Sequence, residues 1–169
     1  MSRRILRDVR RSMEFEDMYN RLGNREFKWT DGRPDGAPLF GTLRELLCFM
    51  AVLGFQLDRR EALEGHATAP IPEEVFAKND DALSCVRMIA LAETKDHMIF
   101  AEERIDEMVT IFEEYALGGS RLLNQFLAEY PTDLLGSDAL LEGLRKEKLL
   151  PPRSANTGGG LGAVSFATP

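Results

Sequence analysis

The chain has 169 residues, 44% of them hydrophobic and 29% charged, with a net charge of −7. That length suits one domain and is enough to bury most of the surface an unfolded chain would expose. The composition is ordinary for a globular protein, and the acidic balance argues against general binding to phosphate backbones.

The charge is uneven. Residues 1–11 carry Arg3, Arg4, Arg7, Arg10 and Arg11 against Asp8 alone, net +4, which leaves −11 for the remainder. This basic arm has two readings: a contact to phosphate or to an acidic partner, or a solvated, frayed terminus. No apolar core follows the arginines, because Met13 is succeeded by Glu14, Phe15, Glu16 and Asp17. A signal peptide is therefore not expected. The longest apolar run, 46–55, is too short to span a bilayer. The expected setting is the cytoplasm, with no membrane contact.

In chain order, Phe15, Met18, Tyr19 and Leu22 recur at helical spacing and predict a short helix over 14–22. Ser12 is its candidate cap and Gly23 its end. Residues 30–38 are rich in Gly, Pro and Asp and read as a loop, with Phe27 and Trp29 expected to pack back on the core. Thr42 and Glu45 form a capping-box pattern ahead of a helix over 43–53. Gly54 is the expected residue just past that helix, with Phe55 contacting Met50. Apolar nearly all round, this helix is expected at the centre of the domain.

Residues 56–76 contain Gly65, Pro70 and Pro72 and predict an ordered loop or short β-hairpin, anchored by Leu63, Ile71, Val75 and Phe76. A helix follows over 81–93, with Asn79 or Asp80 as cap and Ala82, Cys85, Val86, Ile89 and Ala90 on one face. Residues 94–96 are a turn. Ile105, Met108, Val109, Phe112 and Ala116 mark a long acidic helix over 102–117. Gly118 and Gly119 either end it or bend one longer helix, whose second stripe is Leu122, Leu123, Phe126, Leu127 and Tyr130. Ser120 and Ser137 are read as helix caps, and Leu140, Leu141 and Leu144 belong to a last short helix. The expected organisation is a basic arm (1–11), a helical domain (12–150) and a disordered tail (151–169). The fold class is mainly α: a compact single-domain bundle of about five or six helices, with a short β-hairpin the option for 56–76.

The motifs carry little chemistry. Cys48 and Cys85 read as a redox pair or metal ligands, or as two buried reduced thiols, and the second reading is preferred. His66 and His97 lack helical metal-ligand spacing. Residues 158–162 are glycine-rich, but no strand precedes them and no lysine stands at the phosphate-loop position. Asp58, Glu61 and Lys78 match no nuclease spacing. Ser84, Ser120 and Ser137 have no neighbouring histidine. The helices near 83–92 and 102–117 carry Arg87 and Arg104 but are neutral or acidic overall, unlike a groove-reading helix. No catalytic, cofactor-binding or metal-ligating residue is assigned.

The candidate partner surface is the acidic edge Glu107, Glu113 and Glu114, with Tyr115 as an aromatic anchor and Gly118 and Gly119 beside it. A solvated helix face is the alternative reading. The candidate contact to phosphate or an acidic partner is Arg3, Arg4, Arg7, Arg10 and Arg11.

The run Ile111-Phe112-Glu113-Glu114-Tyr115-Ala116-Leu117-Gly118-Gly119 resembles the "IFEEYANGG" segment of the DNA phosphorothioation (Dnd) system-associated protein 4 family. Three further stretches look similar in order and spacing: Leu39-Phe40 through Ala51-Val52-Leu53-Gly54-Phe55, then Arg59-Arg60-Glu61-Ala62-Leu63, then Pro70-Ile71-Pro72 with Phe76. The resemblance covers roughly residues 5–130. It departs at Leu117, where the family often has asparagine, and at Ser120, where leucine is usual. It implies a bacterial accessory protein of the machinery that places sulfur in the DNA backbone, or of the restriction proteins that use that mark. It brings no catalytic residues. The expected function is therefore a non-enzymatic interaction module in a phosphorothioation-linked phage-defence system, with other proteins of that complex as partners and DNA contact indirect or weak. The alternatives are a DNA-binding regulator acting through the arginine arm and a small metal-dependent nuclease or toxin.

Overall fold

The computed structural model describes residues 5–24, 26 and 37–153. The expectations for Phe27 and Trp29, for most of the 30–38 loop, for Arg3 and Arg4, and for 154–169 lie outside these residues. Among the described residues the elements are β1 (Val9–Ser12), α1 (Glu16–Gly23), α2 (Leu43–Gln56), β2 (Thr68–Ile71), α3 (Glu73–Ala77), α4 (Asp80–Thr94), α5 (Ile105–Glu129) and α6 (Ser137–Lys146). Short 3-10 turns at Met13–Phe15, His97–Phe100 and Glu102–Arg104 join them. The class is mainly α with one two-stranded antiparallel sheet.

The centre belongs to α5, not to α2 as expected. At 25 residues it is about 37 Å long. Helices α2, α4 and α6, strand β1 and the 3-10 turns all pack on it. Its two apolar stripes join into one, so Met108, Val109, Ile111, Phe112, Leu117, Leu123 and Phe126 are all buried. On α2, by contrast, Val52 is 51% exposed.

Gly118 and Gly119 do not end α5; both lie inside one continuous helix. Gly54 is likewise inside α2, which runs on to Gln56. All three serve close approach. A Cβ on Gly54 would overlap the carbonyl oxygen of Tyr115, one on Gly119 that of Met50, and one on Gly118 that of Arg59. The α2 and α5 backbones therefore touch where side chains would ordinarily hold helices 8–10 Å apart.

Two serine caps are also reassigned. Ser120 is fully buried in mid-helix, where its hydroxyl donates to the Ala116 carbonyl at 2.7 Å. That uses its single proton, so Tyr19 donates to Ser120 across 3.1 Å. Burial pushes the Tyr19 phenol up to about 12. At α6 the cap is Asp133, whose carboxylate accepts from the amides of Gly136 and Ala139 at 3.0 and 2.9 Å. Other starts follow the sequence reading: Ser12 caps the turn before α1, Thr42 accepts from Glu45 N at 3.2 Å, and Asn79 from Ala82 N at 2.8 Å.

The extended part of 56–76 is β2. Its partner comes from the arm: Val9 pairs with Ile71, Arg10 with Pro70, Arg11 with Ala69 and Ser12 with Thr68. Pro70 costs this sheet no hydrogen bond, because Arg10 opposite it turns its own amide outward, onto Glu113. Residues 9–12 are thus built into the domain, with Leu6 and Val9 fully buried.

Candidate functional site

The conspicuous feature is a buried carboxylate. Glu113 is 1% exposed and sits on α5 between β1 and the core. Its Oε1 accepts from Arg7 Nη1 at 2.6 Å and from the Arg10 backbone amide at 2.6 Å. Its Oε2 accepts from Arg7 Nη2 at 3.0 Å and Arg10 Nη2 at 2.9 Å. Arg7 reaches on to the Thr110 hydroxyl at 2.9 Å and the exposed Asp106 at 3.4 Å. A buried carboxylate is tolerable on these terms: two guanidinium groups, and several charge-assisted donors on its two oxygens. The hydrogen bond and charge of Glu113 raise the Arg10 guanidinium above its ordinary value.

The arm is therefore a structural clamp over residues 7–11, and not a frayed terminus. Arg11 completes it by donating to Glu16 at 2.8 Å. Leu6 and Val9, both fully buried, anchor it to the core on either side of Arg7. An open cleft of about 620 Å³ lies beside the clamp. Among the described residues Arg7, Asp8, Arg10, Pro70, Glu73 and Asp106 line it, three carboxylates against two guanidinium groups.

The other residues of the expected acidic edge go elsewhere. Glu114 turns to Arg60, whose Nε donates to it at 2.7 Å. Arg60 also donates to Glu93 at 2.7 Å and lies 5.8 Å from the Tyr115 ring centre. Tyr115 is buried at 3% exposure, edge-on to Phe55, with its hydroxyl donating to Glu93 at 2.7 Å. The Tyr115 hydrogen bond and then Arg60 hold Glu93 below the usual carboxylate range. Burial, then Glu93, raises Tyr115 to about 12. Glu107 is exposed and accepts two bonds from Arg104, each 2.8 Å. Arg104 also pairs with Asp96. Glu107, Glu113 and Glu114 thus belong to three separate arginine clusters, and the single edge expected from the sequence is not formed. Gly118, Gly119 and Tyr115 lie inside the protein, where no partner reaches them directly.

Sequence reasoning missed Arg60, Glu93, Arg104 and Thr110 as members of these clusters. It also missed Arg121, which pairs with Glu61 at 2.8 Å and Glu14 at 3.0 Å and stacks on Phe15. One signal was available: Glu113 is four residues after Val109 and three before Ala116, so it borders the apolar stripe. The pair Arg104–Glu107 was also legible as an i, i+3 contact.

Cys48 on α2 and Cys85 on α4 are free and half-buried. Among the described residues, no group of three or more His, Cys, Asp or Glu side chains is placed to hold a metal ion. No helix among them is long and apolar enough to cross a membrane.

In comparison with known proteins, the family model for DNA sulphur modification system-associated protein 4 matches residues 8–150. No curated protein and no solved structure matches the chain.

Proposed function

Because the chain belongs to the DNA sulphur modification system-associated protein 4 family, we propose that it is a non-enzymatic interaction protein of a phosphorothioation-linked modification–restriction system, acting in phage defence through contacts to other proteins of that system. One observation carries the choice of a protein partner over DNA. Arg7, Arg10 and Arg11 are already engaged by Glu113 and Glu16 of the same chain. Phosphate would have to compete with a buried carboxylate for these donors, at a cleft whose own lining is acidic on balance. With Arg7, Arg10 and Arg11 engaged, the chain as a whole keeps the acidic character of its net charge of −7. Such a surface suits a basic protein face and repels a duplex.

Exposed carboxylates gather at the start of α5 (Glu102, Glu103, Asp106 and Glu107) and these take over the partner-facing role first assigned to Glu113 and Glu114. The test is capture of tagged protein from its native host with the neighbouring genes intact. Proteins of the sulphur modification or linked restriction machinery should co-purify. A double charge reversal at the exposed Glu102 and Glu103, which leaves the Arg7–Asp106 and Arg104–Glu107 pairs in place, should lower the yield while the protein still melts cooperatively. Capture unchanged by the reversal would remove this face from the account. Capture of DNA alone would favour the regulator reading.

A further inference from the structure

The two cysteines take no part in the reading above, yet the fold sets them side by side. Helices α2 and α4 begin at the same end of the molecule and run in parallel. At that end the Arg44 guanidinium, on the first turn of α2, donates to the Val75 carbonyl just before α4, and at the other end Arg60 donates to Glu93. Between these points the Cys85 thiol approaches the Cys48 carbonyl oxygen at 3.8 Å. Both cysteines are only half-buried. A cavity of about 200 Å³ reaches Cys48 from the surface, lined also by Arg44, Glu45, Asn79, Asp81 and Ala82. A cysteine used as a small apolar filler is normally sealed in the core. These two meet across a helix seam: Cys48 is open to a small solute through the cavity, and Cys85 is half-buried beside it.

We propose that Cys48 and Cys85 form a dithiol site that reacts with hydroperoxides and closes to an intramolecular disulfide joining α2 to α4. With Cys85 Sγ 3.8 Å from the Cys48 carbonyl oxygen, the neighbouring Cys85 pushes the Cys48 thiol up and Cys48 draws Cys85 down, so Cys85 supplies the thiolate. That thiolate attacks the outer peroxide oxygen. The S–O bond forms, the O–O bond breaks, and the departing oxygen takes up a proton and leaves as water or an alcohol. Cys48 sulfur then attacks the sulfenic sulfur of Cys85. The S–S bond forms, the S–O bond breaks, and hydroxide leaves with the Cys48 proton as water. Two thiols lose two electrons and two protons, and one peroxide is reduced.

The test uses the full chain and hydrogen peroxide as the probe. Intact mass under denaturing conditions should fall by two hydrogens, both thiols should vanish to a maleimide reagent, and a dithiol reductant should restore them. Cys48→Ser should stall at a sulfenic acid on Cys85, trapped by a cyclic dione. Closure should be faster in the folded protein than in urea, because the fold brings the thiols together. Persistence of both thiols while the exposed Met88 oxidises would overturn the proposal. So would covalent dimers as the main product, or closure no faster in the folded protein than in urea.

Discussion

Glu113 shows how far a single residue departs from its class. A glutamate on a helix rich in glutamates reads as solvated, yet this one is sealed against two arginines. Glu113→Gln keeps the shape but leaves the largely buried Arg7 guanidinium, and the half-exposed Arg10 beside it, facing a neutral amide. Breaking a buried pair in this way costs about 3–5 kcal/mol. Glu114→Gln loses only the partly exposed contact to Arg60, a loss of about 1 kcal/mol or less. Urea unfolding of the two variants should separate them by that margin, and equal midpoints would refute the clamp. A lysine at both positions, harmless on an exposed face, should instead prevent folding.

Titration also resolves single residues. Tyr19 and Tyr115 are both raised to about 12, against about 10 in an unfolded chain. A group raised on folding contributes stability that is complete below its unfolded value and is lost as pH rises. Stability should therefore fall between about pH 10 and 12, with the phenolate absorbance of these two rings appearing late. Phenylalanine variants identify which absorbance belongs to which ring. Glu93 has the opposite sign: its carboxylate is held low, so its contribution is present at neutral pH and is lost as pH falls through its folded value.

At the scale of elements, the α2–α5 crossing makes the clearest demand. Alanine in mid-helix is favoured over glycine by about 1 kcal/mol. At Gly54, Gly118 and Gly119 the added methyl meets backbone oxygens, which cannot step aside as a side-chain tip can. Overpacking of this kind costs about 1–3 kcal/mol or more, so it outweighs propensity. Each alanine variant should melt below the parent, and stabilisation by all three would contradict the packing described. The starts of α2, α4 and the turn before α1 were legible in the sequence, because Thr42, Asn79 and Ser12 act locally. The roles of Gly118 and Gly119 were not. Their spacing announces a bend or an end, while the reason for them lies elsewhere in the chain, at Met50 on α2 and at Arg59 in the segment that follows it. The same holds for β1. Four residues of an arginine-rich stretch have no visible strand period, and only pairing with residues 68–71 makes them a strand. Deleting residues 1–11 removes that strand, Leu6, Val9 and both partners of Glu113. The truncated chain should fail to fold, so loss of any activity on truncation says nothing about DNA contact.

Across the whole molecule, arginines are spent inward. Arg7, Arg10, Arg60, Arg104 and Arg121 each tie residues distant in sequence or neighbouring turns to carboxylates of the same chain. Composition alone shows an acidic body with a basic arm, two separable regions. Folding merges them, because the clamp carboxylate lies more than a hundred residues from its arginines. Distance in sequence is what hid the candidate site, and the same distance makes the arm indispensable to the domain. In the function proposed above, the exposed carboxylates that remain face a protein partner.

The most direct measurement of that claim is the mass of the complex recovered from the native host, taken by light scattering before and after exhaustive nuclease treatment. A complex with proteins of the sulphur modification or linked restriction machinery should be recovered, its mass and composition unchanged by removal of nucleic acid. A complex that dissolves with the DNA, or a chain that alone binds duplex tightly in physiological salt, would contradict it.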